Sequence, residues 1–151
     1  VREWFKLRPE YAKFLTLYNP DSLLAHRRVG DYPGTGFVVV SEQSYRDAAS
    51  NFGYDPASIS WVTEETPTFI PAIPPEFSFL SDFIRMMRCK ALFRGNSTFS
   101  WWAATLGNAK VYAPIIKGKC GGMEHDCEFV EGNWPQMAEL DFLSDLHLKE
   151  E

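Results

Sequence analysis

Two stretches of this chain carry residue types that could do chemistry, and both follow short apolar runs. The first is "LAHRRVGDY", residues 24–32, which runs from an apolar segment straight into His26, Arg27, Arg28, Gly30, Asp31 and Tyr32. If "SLLAH" is a strand, alternation puts His26 and Arg28 on one face and Arg27 on the other. An arginine at a strand's carboxyl end can grip a phosphate or carboxylate through two parallel N–H donors. Gly30 would let a ligand approach the backbone, and Asp31 could orient an arginine or bind a hydroxyl. The plainer alternative is a surface ion pair between Arg28 and Asp31 beside a solvated Arg27.

The second stretch is "RGNSTFSWWAATLGN", residues 94–108. Gly95, Asn96, Ser97 and Thr98 stand between an apolar run and a helix, where Ser or Thr is a preferred N-cap. The free N–H groups of a helix start, with its dipole, also form an anion site. The hydroxyls of Ser97 and Thr98 would add donors, or they cap and do nothing else. The spacing is neither that of the P-loop nor that of the dinucleotide fingerprint. Trp101 and Trp102 fall on adjacent sides of the helix, so at least one is expected in the core. Ala103 and Ala104 would let the helix lie close to its neighbours; a tryptophan stacking on a ligand is the alternative. "NST" at 96–98 also spells a glycosylation sequon, at a junction too buried to make a good acceptor.

These residues must be positioned by elements the pattern predicts. "RPEYAKFLTLY" reads as a short helix with Pro9 in its first turn. "SLLAH", "FVVV", "SISWVT", "ALFR" and "KVYAP" read as five strands, the apolar runs of a sheet buried on both faces. Ser41 can cap and Gly53 end a helix over "EQSYRDAASNF". "FSFLSDFIRMMRCK" reads as a helix turning Phe79, Phe83, Met86 and Met87 to a core, after a proline-rich connector. Helices alternating with strands predict an α/β domain with a mostly parallel sheet, Rossmann-like and three-layered. In such sheets ligands bind beyond the carboxyl ends of the strands. Both candidate stretches fall there.

The 151 residues are expected to form one domain, with its core over about 20–116 and a loop plus peripheral C-terminal helix over 117–151. A net charge of −5 supplies no basic field for nucleic acid or an anionic membrane. No apolar run approaches the roughly 18 residues of a membrane span. "VREWFKLRPEY" has charges where a signal peptide would be apolar. A start at Val1 suggests a domain cut from something longer. Of the three cysteines, Cys89 belongs to a helix, while Cys120 and Cys127 form a disulfide, contribute with His125 to a metal site, or remain thiols.

Taken in order, "AHRRVGDY", "CKALFRGNSTFSWWAATL" and "KVYAP" resemble glycosyltransferase family 11, the α-1,2-fucosyltransferases, and more broadly the GDP-fucose-dependent inverting fucosyltransferases. The resemblance covers about residues 20–116, and the Asn-Ser-Thr-Phe-Ser-Trp-Trp-Ala-Ala string is its most specific part. It implies the C-terminal, donor-binding half of a GT-B architecture, with an acceptor-binding N-terminal domain missing. By position, His26 resembles the histidine beside the donor nucleotide. Arg28 matches the catalytic arginine that holds the β-phosphate and stabilises the leaving GDP. Asp82 resembles the carboxylate that reads guanine, and Ser97, Thr98 and Phe99 match the segment that meets the phosphates, with Asn96 beside them. Most members carry two arginines after the variable position; here Arg27 takes the variable position and Val29 follows Arg28. "SWVTEE" replaces a segment usually richer in Ser and Asp, leaving Glu64 and Glu65 without a role.

The implied chemistry is inverting transfer from GDP-fucose, or another GDP-sugar, to a glycan hydroxyl. It needs no cofactor and no metal, because Arg28 and the helix start meet the charge that develops on the phosphate. Such donors can each contribute about 3–4 kcal/mol. No residue stands out as the general base. The alternatives are a non-catalytic nucleotide-sugar or glycan binding module, and an α/β interaction domain that binds neither. The compartment would be cytoplasmic in a bacterium and the Golgi lumen in a eukaryote.

Overall fold

The computed structural model describes residues 5–30, 32, 37–65, 67–116 and 123–134. Seven strands are formed among them: β1 (Leu23–His26), β2 (Val39–Val40), β3 (Ser60–Val62), β4 (Ala91–Phe93), β5 (Lys110–Pro114), β6 (Glu124–His125) and β7 (Phe129–Glu131). The helices are α1 (Pro9–Ala12), α2 (Glu42–Asn51), α3 (Phe79–Arg88) and α4 (Thr98–Leu106). Proline opens α1, which tightens into a 3₁₀ turn over Lys13–Thr16. Ser41 caps α2 by accepting the Ser44 N–H, and Gly53 beyond it takes a left-handed φ of 86°, as the sequence led one to expect.

The main sheet has the order β3-β1-β4-β5-β7. β1 pairs parallel with both β3 and β4, β4 pairs parallel with β5, and β7 is antiparallel at the edge. Counting this sheet's own strands along the chain gives 2-1-3-4-5, a doubly wound order whose direction of growth reverses between β1 and β4. That reversal explains the layering. Crossovers of one hand that step in opposite directions land on opposite faces.

Alternation along the strands sorts the core accordingly. Leu23, Ala25, Ala91, Phe93 and Tyr112 pack with Tyr45, Ala48 and Ala49 of α2. Leu24, Val62, Leu92 and Val111 pack with Met86 of α3 and Ala103 and Ala104 of α4. The result is a three-layer α/β domain with a mostly parallel open sheet. A third cluster, around Phe14, Ile70, Ile73, Leu80 and Ile84, fastens the N-terminal segment and the proline-rich connector to α3.

Several expectations need correction. "FVVV" does not join the main sheet; Val39 and Val40 pair with Glu124 and His125 in a separate two-stranded sheet. The core does not stop near residue 116, because Phe129 on β7 is buried against the α2 face. Residues 123–134 form two strands rather than a plain loop, and the expected C-terminal helix lies outside the described residues. Phe79 faces solvent at 57 % exposure, since the buried stripe of α3 runs through Leu80, Ser81, Ile84 and Met86. Neither Trp101 nor Trp102 is buried. The alanines behind them take the core positions, and the two indoles meet edge to face with centroids 5.0 Å apart.

Candidate functional site

The point where the sheet's growth reverses lies between β1 and β4, the adjacent parallel strands that precede the two candidate stretches. Ligands of doubly wound sheets bind in the crevice at this place. Its first wall is fixed by the end of β1. The Tyr45 hydroxyl, carried by α2, donates to the His26 carbonyl at 2.9 Å, and Arg27 N donates to Val62 O at 3.0 Å. Strand alternation then separates the basic side chains as expected. Arg27 is not solvated: its Nε donates to Val40 O and its Nη2 pairs with Glu124 at 2.9 Å, tying the small sheet to the main one.

His26 is on the other face and 4 % exposed. Burial pulls its pKa down to about 4, with the Arg28 and Arg94 charges adding to the effect and Glu64 opposing it, so the ring is neutral at pH 7. It packs 6.1 Å from the Phe99 ring and lies tight against Gly95. A Cβ at Gly95 would lie 2.9 Å from both His26 Nδ1 and His26 O.

The second wall is the start of α4. Ser97 is its N-cap: Oγ accepts the Ser100 N–H at 3.2 Å and pairs with Ser100 Oγ at 3.0 Å. Trp101 N makes the first helical bond, to Ser97 O. No hydrogen bond within the protein engages the N–H groups of Thr98 and Phe99 among the described residues, and the positive end of the helix dipole lies there. Asn96 is buried; its Nδ2 donates to Val38 O at 2.7 Å, which accounts for its poor standing as a glycosylation acceptor.

Arg28, Tyr32, Phe37, Asn96, Ser97, Thr98 and Phe99 line one cavity of about 230 Å³. The two stretches thus share a single hollow. The Tyr32 hydroxyl bridges them, donating to Asn96 O at 2.7 Å, and the Arg28 guanidinium carbon lies 5.6 Å from the Tyr32 ring centre.

Glu64, just beyond β3, completes the arrangement. Its Oε1 pairs with Arg28 Nε at 3.0 Å, and its Oε2 accepts from the Val29 and Gly30 N–H groups, each at 3.3 Å. An arginine with two consecutive backbone N–H groups is an anion-binding set, and here a carboxylate of the chain occupies it. The close approach expected of a ligand at Gly30 is therefore made by Glu64, whose Cδ would lie 3.1 Å from a Cβ there.

Other nominated residues lie elsewhere. Neither His26 nor Gly30 lines the cavity. Asp82 also stays out of it: its Oδ1 accepts the Thr68 N–H at 2.9 Å, and burial raises its pKa against the opposing Thr68 hydrogen bonds and Arg85 charge. Asp31 and Cys120 lie outside the described residues, among which no three metal-ligating side chains converge. Among them, too, no helix is long and apolar enough to cross a membrane.

Sequence reasoning noticed Tyr32 and Glu64 without giving either a role, and it missed Phe37 and Arg94. Arg94 is 1 % exposed and anchors the end of β4, donating to Gly95 O at 2.8 Å and to Trp134 O. A charge closing the apolar run "ALFR" was its one signal. A larger hollow of about 550 Å³ between α2 and residues 126–129 contains no residue of either stretch. No family model, curated protein or solved structure matches this chain.

Proposed function

We propose that this domain binds the diphosphate of a GDP-sugar in the cavity between Arg28 and the start of α4, as the donor half of a fucosyltransferase-like glycosyltransferase of GT-B type. The observation that carries the reading is the meeting of Arg28, Ser97, Thr98 and Phe99 on one cavity beside the reversal point of the sheet. Arg28 and the N–H groups of Thr98 and Phe99 then hold the phosphates. As the sugar–phosphate bond breaks, the same donors meet the charge growing on the leaving GDP, while an acceptor hydroxyl attacks the opposite face of the anomeric carbon. The cavity is small beside the roughly 300–1,000 Å³ of small-molecule sites. It fits a diphosphate, with the nucleoside and sugar extending beyond it.

One observation favours a second reading, binding without turnover. Among the described residues no carboxylate or histidine lines the cavity to deprotonate an acceptor, and His26 is buried and neutral. Calorimetric titration with GDP, UDP, ADP and pyrophosphate tests the shared core of both readings. GDP is expected to bind the wild-type domain. Arg28→Ala should weaken GDP and pyrophosphate by about a hundredfold, the worth of a charge-assisted hydrogen-bond pair. Unchanged affinity in a folded Arg28→Ala protein sinks the site. Turnover of GDP-fucose with a galactoside acceptor by the full-length protein separates enzyme from binding module.

A further inference from the structure

We infer that Phe37, backed by Tyr32, is the platform on which the nucleobase of the ligand stacks; this rests on the diphosphate reading of the cavity. If the phosphates fill a hollow of about 230 Å³, the planar base must lie against its rim. Among the described residues three aromatic side chains line that hollow: Tyr32, Phe37 and Phe99. Phe99 is turned into the scaffold, its ring 5.3 Å from Phe83 and 6.1 Å from His26. Tyr32 is 8 % exposed, its hydroxyl spent on Asn96 O. Phe37 differs from both. It is 57 % exposed, and its ring stacks on Tyr32 with centroids 5.0 Å apart and planes 24° from parallel.

Its backing is therefore fixed, because Tyr32 is tied by a hydrogen bond to the backbone of the α4 cap. A large apolar ring held open to water beside an anion site suits a ligand with a charged end and a flat aromatic end. Nucleoside diphosphates have that form, and stacking on a protein aromatic is tolerant of which base is present. Phe37 would then contribute affinity for the nucleoside while Arg28 and α4 hold the phosphates. Asp82, tied to Thr68 outside the cavity, takes no part in this stacking.

The test is a calorimetric comparison of wild type, Phe37→Ala and Phe37→Tyr, each titrated with GDP, ribose 5-phosphate and pyrophosphate. Phe37→Ala is expected to weaken GDP by about tenfold or more. Pyrophosphate and ribose 5-phosphate should bind it as they bind wild type, and Phe37→Tyr should retain GDP. Equal GDP affinity in wild type and Phe37→Ala overturns the inference, and so does an equal loss for pyrophosphate. A loss shared by ribose 5-phosphate places the sugar, not the base, on the ring and overturns it too. These results leave the diphosphate reading standing wherever wild type binds GDP. A wild-type protein that binds neither GDP nor pyrophosphate refutes both.

Discussion

Replacing Glu64 with glutamine should make the domain bind phosphates more tightly. The Glu64 carboxylate sits 3.0 Å from Arg28 Nε and takes the N–H groups of Val29 and Gly30, so it offsets the Arg28 charge beside the cavity. The pair is partly exposed, with side-chain exposures of 30 % and 35 %, which puts its effective dielectric between bulk water and the protein surface. An anion on the cavity side of Arg28, about 6 Å from the carboxylate, would be repelled by roughly 1–1.5 kcal/mol per unit charge at a dielectric near 40. Glu64→Gln keeps an acceptor for the two N–H groups and removes that repulsion. Counting the one phosphate charge nearest the carboxylate, with the others farther off and screened, affinity for pyrophosphate and GDP should rise about tenfold, and the gain should shrink in high salt. Isothermal titration of both proteins at low and high salt measures it, with thermal melts to show that both are folded. Equal or weaker binding by Glu64→Gln would refute the reasoning and make Glu64 a holder of Arg28 rather than its competitor.

Two further outcomes concern stability. Ser97→Ala removes the side-chain acceptor for Ser100 N and should cost about 1 kcal/mol in chemical denaturation; no loss would mean that the cap contributes nothing. His26 has a folded pKa of about 4 against an ordinary value of 6.5, so the unfolded chain binds the proton more readily. Its contribution is therefore complete above about pH 6.5 and declines as pH falls toward 4, by up to about 3 kcal/mol. Denaturation between pH 7 and pH 4.5 should show this slope in wild type and a flatter one in His26→Gln; identical slopes would contradict it.

Much of the frame was legible because buried parallel strands announce themselves as unbroken apolar runs: "SLLAH", "ALFR" and "KVYAP" each became a strand. Helix punctuation worked equally well at Ser41 and Ser97, whose hydroxyls cap, and at Gly53, whose positive φ follows the end of α2. The misses share a cause, dependence on partners far along the chain. Val39 and Val40 look like any other apolar strand, and their pairing with Glu124 and His125 is visible in three dimensions alone. β7 has three residues, of which Phe129 alone is buried, too short a pattern to outweigh the glycines and charges around it. Phe79 and at least one of the two tryptophans were expected in the core, whereas helix phase gave those positions to Leu80 and the alanines. At the site, residue types and order brought Arg28 and Ser97–Phe99 to notice. Glu64 and Tyr32 reach the same place through contacts spanning 35 and 64 positions, which no local spacing encodes.

The central claim, that Arg28 and the start of α4 form one phosphate clamp, is met most directly by a crystal structure of the domain with GDP. The account predicts a phosphate within hydrogen-bond distance of the Arg28 guanidinium and of the Thr98 and Phe99 N–H groups. GDP seated in the hollow between α2 and residues 126–129, with Arg28 still paired to Glu64 and no phosphate at α4, would contradict it.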